Sequence, residues 1–406
     1  MKRRDILKSI GLLPFTAAAG SILPAEAAAI PAYKPKSDIF DELGLRTFIN
    51  AAGNYTVLTG SLMMPEVMEA MNMTAKKYAM LDEVHDRVGE KIASLCRAEA
   101  AMVTAGCWSA LVLGMAGVLT GKDPAKVSLL PFVQGTGMKS RVILQKSHSV
   151  GYDHALTHAG ATLVKVETRE ELESAINDQT AMLWFLNREA SKGQIQHAEW
   201  IDIAKKHGIP SMIDIAADVP PVENLWKFNE MGFDLVAISG GKAMSGPQSA
   251  GILMGRKELI EAARMNANPK SGVGRGQKVN KEEMIGMYVA LKQYISRDHE
   301  REWKIWEEKI SMINNAIRNI DGVTTEIYVP PVDNHNPSLR ISWDPAKIKL
   351  TSEQLRDKLR SGQPSVEVIS WEKENNIRIT VFMLQPKEEK LVARRIGEEL
   401  KAALQT

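Results

Sequence analysis

The stretch Gly208-Ile209-Pro210-Ser211-Met212-Ile213-Asp214, followed after one amphipathic segment by Phe233-Asp234-Leu235-Val236-Ala237-Ile238-Ser239-Gly240-Gly241-Lys242, decides how this chain folds. Each part is a short apolar run that ends on polar residues, entered in the first case through the turn Gly208 to Pro210. Between them, Val222 to Met231 has the spacing of a helix. Strand, crossover helix and strand form a βαβ unit, whose two strands lie parallel in one sheet.

The same rhythm extends outward. Arg141 to Leu144 reads as a strand, Tyr152 to Ala159 as a helix and Ala161 to Val166 as the next strand. Ala181 to Leu186 is a further apolar run, and Ala198 to His207 a further helix. The expectation is an α/β fold with a mostly parallel mixed sheet and helices on both faces. Asn280 to Met312 reads as one long charged helical stretch. After it, Ser338 to Trp343, Thr351 to Arg360, Ile377 to Phe382 and Lys387 to Leu404 read strand, helix, strand, helix. This divides the chain into a large domain over 30–290, with an N-terminal arm, and a linking helix plus small α+β domain over 291–406.

Residues 1–29 stand apart. Lys2-Arg3-Arg4-Asp5-Ile6-Leu7-Lys8 precedes the apolar run Ile10 to Phe15 and an alanine-rich stretch containing Ala25-Glu26-Ala27. Basic start, short apolar centre and small-x-small end read as a twin-arginine signal peptide, cleaved near Ala27 to Ala29. The run is interrupted by Pro14 and is short of the roughly 20 residues that span a bilayer. The mature protein is therefore expected in the periplasm or otherwise exported, with no membrane segment.

Composition narrows the function. With 51 Lys and Arg against 49 Asp and Glu, the chain offers no basic face to a nucleic acid. Its 44% hydrophobic residues make a large core, so a small-molecule enzyme is the favoured class. The two cysteines, Cys96 and Cys107, lack a second close pair for a zinc site, and no metal is expected. Export would permit them to form a disulfide.

Open α/β sheets bind ligands beyond the carboxyl ends of their strands. Asp214 and Lys242 stand at two such ends, 28 residues apart and joined by one crossover. A pyridine-type cofactor needs this pair: a lysine to form an imine with its aldehyde, and a carboxylate to keep the ring nitrogen protonated. Ser-Gly-Gly-Lys alone also suits a surface loop with a solvated lysine, and Asp214 is what favours the cofactor. Gly240 and Gly241 would let the backbone approach the cofactor, and Ser239 would bond its phosphate. Met102 to Ala110 runs through Gly106 into a long apolar helix whose free N–H groups suit a phosphate, although capping by Thr104 or Ser109 explains the pattern as well. His148, a few residues beyond a strand, is placed where an imidazole would lie on the cofactor ring.

At these residues the chain resembles the selenocysteine synthase-related branch of fold-type I pyridoxal-phosphate enzymes, which takes in L-seryl-tRNA selenium transferase-like and D-glucosaminate-6-phosphate ammonia-lyase-like proteins. The resemblance rests on Phe48 to Gly53, Thr59-Gly60-Ser61, Ala98 to Gly106, Asp214 to Ala217, Ser239 to Lys242 with Gly246-Pro247-Gln248-Ser249-Ala250-Gly251, and Gly274 to Val279. It implies pyridoxal 5′-phosphate as cofactor, Lys242 as the Schiff-base lysine, Asp214 at the pyridine nitrogen with Ala216 beside it, and Gly106 with Cys107 at the phosphate. It further implies a homodimer with shared active sites, in which the loop Gly272 to Gln277 brings Arg275 to the neighbouring subunit's phosphate. Asn50, Asn54 and Asn187 fall at substrate positions, and Arg340 and Arg360 are candidates for a substrate carboxylate. Cys107 and Trp108 depart from the small residues usual there. The expected reaction is a lyase reaction, an α,β-elimination on a small amino acid or amino sugar acid. A racemase, an aminotransferase, or a non-catalytic exported binding protein with the same fold are the rivals.

Overall fold

A computed structural model of the protein describes residues 38–370 and 375–404. The export signal read at 1–29 lies outside the described residues. Residues 38–47 form a unit of their own, with a short helix Ile39–Glu42 capped by the Asp38 side chain. Everything described below belongs to the second unit, which starts at Phe48.

Its centre is a seven-stranded sheet in the order Ala100–Thr104, Gly251–Gly255, Leu235–Ser239, Ser211–Asp214, Thr180–Leu186, Arg141–Gln145 and Thr162–Val166. Gly251–Gly255 runs antiparallel to both neighbours, and the other pairings are parallel. The sheet is thus mixed and mostly parallel, as the alternating pattern predicts. Thr180–Leu186 is buried at every position, the signature of a central strand covered on both faces.

Alternation with a period of two sends neighbouring side chains to opposite cores. Phe185, Ile213, Val236 and Ile252 pack on one face, with the helices Leu81–Leu95 and Lys281–Ile295. Trp184, Met212, Leu235 and Leu253 pack on the other, against the helix Gly106–Thr120. That helix is apolar on all sides because it is covered on all sides: Gly114 meets Met212 of the sheet, and Gly117 meets the backbone at Ala263 in the helix Lys257–Asn266.

The charged stretch read as one long helix is two. Lys281–Ile295 ends at Ser296, and His299–Ile317 starts afresh with the Asp298 carboxylate accepting from Arg301 N–H. The break has a packing reason. Met284, Met287 and Leu291 of the first helix belong to the large-sheet core, whereas Ile310, Ile313 and Ile317 of the second belong to another. That other core covers an antiparallel sheet in the order Ile369–Ser370, Asn376–Thr380, Ser338–Trp343 and Val323–Tyr328. The helices Ser352–Ser361 and Glu388–Ala402 contribute Leu355, Leu359, Val392 and Ile396 to it. Cys96 and Cys107 are separate, buried free thiols.

Phe185 joins the sheet to its covering layer, with its ring centroid 4.5 Å from those of both His148 and His197 and 5.9 Å from that of Trp200. Phe185→Ala should lower unfolding free energy by about 3–5 kcal/mol in a urea titration followed by circular dichroism. A loss under about 1 kcal/mol would contradict this packing.

Candidate active site

Asp214 and Lys242 leave the sheet at adjacent strand ends, Asp214 lying in register with Ala237. Lys242 follows two glycines whose need is steric. A Cβ on Gly240 would strike Met287, and one on Gly241 would strike the backbone of Gln248. The packing of the turn by itself therefore requires glycine at both positions. Ser245 N–H donates to Lys242 C=O at 2.9 Å and Gly246 N–H to Gly240 C=O at 3.0 Å, fixing the lysine at the mouth of a cavity.

That cavity is lined by both Asp214 and Lys242. Asp214 is buried, and its Oδ1 accepts from Ala216 N–H at 2.9 Å and from the Cys107 thiol at 3.5 Å. Burial raises the carboxyl above its usual range, while the Ala216 N–H and the nearby Lys242 charge pull it back. Burial and Asp214 together push the Cys107 thiol well up, so it serves as a neutral donor. Ala216 lines the same cavity.

The helix Gly106–Thr120 begins beside this carboxylate. Its cap residue Ala105 makes no side-chain bond, the Thr104 hydroxyl donates to Gly106 C=O at 2.9 Å, and Ser109 is bonded to Gln277 at 2.6 Å. The capping alternative therefore fails, and the first N–H groups have no side-chain cap. A Cβ on Gly251 would stand 2.5 Å from Gly106 C and 2.7 Å from Cys107 N, so only glycine lets the antiparallel strand pass this start. Gly106 itself has φ +79°. An amine and a carboxylate line one strand-end cavity, and an uncapped helix start lies outside that lining but is tied to the carboxylate through Cys107; together they supply the donor types that pyridoxal phosphate requires, and the residues fit the cofactor.

Other expectations are redistributed. His148 is fully buried: its Nδ1 accepts from Leu186 N–H at 3.1 Å, its ring stands edge-on to Phe185, and burial lowers its pKa to about 4. It does not line the cavity, where Tyr152 is the aromatic instead. Ser239 is likewise absent from the lining, its backbone paired with Gly251. Asn50 spends its amide on a turn, donating to Gly53 C=O at 2.8 Å and accepting from Ala52 and Gly53 N–H. Asn54 is buried with its Nδ2 unpartnered. Asn187 accepts from His197 Nε2 at 2.7 Å in an adjoining hollow that shares Asp218 and Asp333 with the cavity.

Neither proposed arginine faces Lys242. Arg340 pairs with Glu326 on the next strand and lies over Tyr328, and Arg360 makes a forked pair with Glu367 at 2.7 and 2.8 Å. The arginine that lines the cavity is Arg188, directly after Asn187 at the end of Thr180–Leu186. Asn187 came from the family resemblance alone, and reading the end of the strand Thr180–Leu186 would have pointed to Arg188 as well. Arg275 is exposed on a loop tied down by Gly274 N–H to Asn266 C=O at 2.9 Å.

Asp218, also in the lining, is held by Asp333 N–H at 2.9 Å and by the Asn187 side chain, and burial pushes its pKa up to about 7. Its unfolded value is about 3.9. Because the fold prefers the protonated form, this preference is whole below pH about 4 and is lost as pH rises through about 7. Asp218→Asn should therefore gain stability relative to the parent between pH 4.5 and 7.5, as read from thermal midpoints. A difference independent of pH would contradict the shift.

A family model described as aminotransferase class-V matches residues 155–389. D-glucosaminate-6-phosphate ammonia lyase of Salmonella typhimurium is 28% identical over 361 residues, which is 86% of this chain and 93% of that protein. 5′-C-glycyluridine monooxygenase-decarboxylase of a Streptomyces species is 25% identical, over 89% of this chain and 92% of that one. A solved D-glucosaminate-6-phosphate ammonia-lyase superposes with TM-score 0.79 at 26% identity, covering 91% of this chain and all of the other. Serine palmitoyltransferase of Sphingomonas wittichii shares the fold at TM-score 0.57 and 14% identity. With its strand-end lysine and aspartate in place, this chain belongs to the aminotransferase class-V family and is a pyridoxal 5′-phosphate enzyme of fold type I.

Proposed function

We propose that this protein is a lyase that eliminates the β-hydroxyl group of a small amino acid or amino sugar acid, releasing ammonia and a keto acid. The observation that carries the reading is the convergence of Lys242, Asp214 and Arg188 on one cavity. The similarity to an ammonia-lyase along most of both chains supports elimination over other outcomes.

When bound, pyridoxal phosphate supplies an electron-withdrawing ring that stabilises negative charge at the substrate α-carbon. Lys242 would hold the cofactor through its Nζ, Asp214 would keep the ring nitrogen protonated, and the helix start at Gly106 and Cys107 would hold the phosphate. The Cys107 thiol fixes one Asp214 oxygen in place. Lys242 Nζ is also the base in this cavity that takes the α-proton. Arg188 is the group that binds the substrate carboxylate, being the arginine in the lining.

The reading includes export and self-association. Lys2-Arg3-Arg4 with its apolar run supports the twin-arginine route, and changing Arg3 and Arg4 to Lys should trap the protein inside the cell on fractionation. Exposed Val57, Tyr78, Met80 and Phe132, with exposed Arg275, support a homodimer in which Arg275 reaches the partner's cofactor phosphate. Light scattering should give twice the chain mass or a multiple of it, and a monomer would remove that element.

Purified protein should absorb near the visible edge, and Lys242→Ala should abolish that band. Ammonia and keto acid should appear with 2-amino-3-hydroxy acids. Exchange of the α-proton for deuterium with no ammonia released would replace the lyase reading by a racemase.

A further inference from the structure

Two carboxyl groups in the lining have no part in the scheme above. Asp218 sits at the end of the turn that begins with Asp214, buried to 3% exposure. Asp333 arrives from a loop 115 residues further on and donates its backbone N–H to Asp218 Oδ1 at 2.9 Å. Asp333 and Asn334 both adopt φ +54°, a left-handed conformation that side-chain-bearing residues rarely take. The conformation is held by Asn334 N–H donating to Ala217 C=O at 2.7 Å and by Asn334 Nδ2 donating to Asp333 Oδ1 at 3.1 Å. The loop is thereby fastened to the Asp214 turn, with both carboxyl groups on the cavity that holds Lys242.

The two acids are not equivalent. Arg188 Nε stands 3.8 Å from Asp333 Oδ2, and Lys242 also favours charge on Asp333. Asp218 faces Asn187, Asp333 and Asp214, and both of these acids oppose its charge. Glu189 adds its charge against Asp333 from the same side as Arg188. With two such acids facing one cavity, Asp218 is the one that keeps its proton and Asp333 the one that carries the charge.

Elimination of a hydroxyl group needs that proton, because hydroxide leaves poorly. We propose that Asp218, with Asp333 as its charged partner, is the general acid that protonates the departing β-oxygen of the substrate. The inference rests on the lyase reading. The Cα–H bond breaks and its proton goes to Lys242 Nζ. The electron pair forms the Cα–Cβ double bond, and the Cβ–O bond breaks with its pair left on oxygen. The Asp218 proton completes a water molecule and leaves a carboxylate. Water then adds to the unsaturated product, which yields keto acid and ammonia, with no oxidant or reductant consumed.

The test compares leaving groups in the holoenzyme: D- and L-serine, whose hydroxyl needs a proton, against the matching 3-chloroalanines, whose chloride does not. Asp218→Asn should lose about 10²- to 10⁴-fold in turnover of the hydroxy substrate. It should stay within a few-fold of the parent on the chloro substrate, with its near-visible absorbance retained. Equal losses on both substrates would overturn the inference alone. Parent enzyme that releases no ammonia from either class would overturn the lyase reading and the inference together. Asp333→Asn supplies a second variant should the first not fold. Removing the negative partner lowers the Asp218 pKa, so the alkaline limb of the hydroxy-substrate pH profile should move to lower pH. An unmoved limb would overturn the pairing.

Discussion

The parallel pairing of Ser211–Asp214 with Leu235–Ser239 is the constraint from which the site follows. Parallel neighbours end on the same edge of the sheet, so a carboxylate and an amine separated by a crossover helix come to one cavity. The interior side chains hold the two strands in register: Ile213 and Val236 face one core while Met212 and Leu235 face the other. A slip of one residue would turn Asp214 into an apolar core, where an unpaired carboxylate is costly. The antiparallel strand Gly251–Gly255 then passes close against the start of the Gly106 helix, through a contact that only glycine permits.

Charge in the cavity is organised by desolvation. Asp214, Asp218 and Asp333 are all buried enough to have their carboxyl groups raised, and each is offset by different neighbours. Asp214 has a backbone N–H and Lys242, Asp333 has Arg188 and Lys242, and Asp218 has the Asp333 N–H and the Asn187 side chain. Three acids of the same chemical type thereby take different protonation behaviour on the cavity that one lysine also lines. The protein obtains these differences from placement, by setting different neighbours beside each carboxyl group.

Much of this was legible in the sequence because it is local. Strand ends are readable where an apolar run stops, and that sufficed for Asp214, Lys242 and the Gly106 helix start. Asn187 was reached through the family resemblance instead, which stopped one residue short of Arg188. Other features depend on partners distant in the chain. Arg340 looks free in sequence, yet the antiparallel register sets it opposite Glu326. Arg360 in a last helical turn meets Glu367 on the strand that follows. The turn Lys146–His148 swings the imidazole back beneath Leu186, which strand-end reasoning could not foresee. Asp333 gave no sequence signal, because its place in the cavity rests on a left-handed loop and a bond across 115 residues. Gly251–Gly255 was hidden for another reason: its run of five residues begins on the last glycine of the Gly246–Gly251 motif, which drew the reading to family likeness rather than pairing.

The account stands on Lys242 being the amine that carries the cofactor. Reduction of the holoenzyme with borohydride, followed by tryptic digestion and mass spectrometry, fixes the cofactor to whichever amine holds it. The added mass is predicted on the peptide containing Lys242 and on no other. Pyridoxyl label on a different lysine, with Lys242 unmodified, would contradict the assignment of the site.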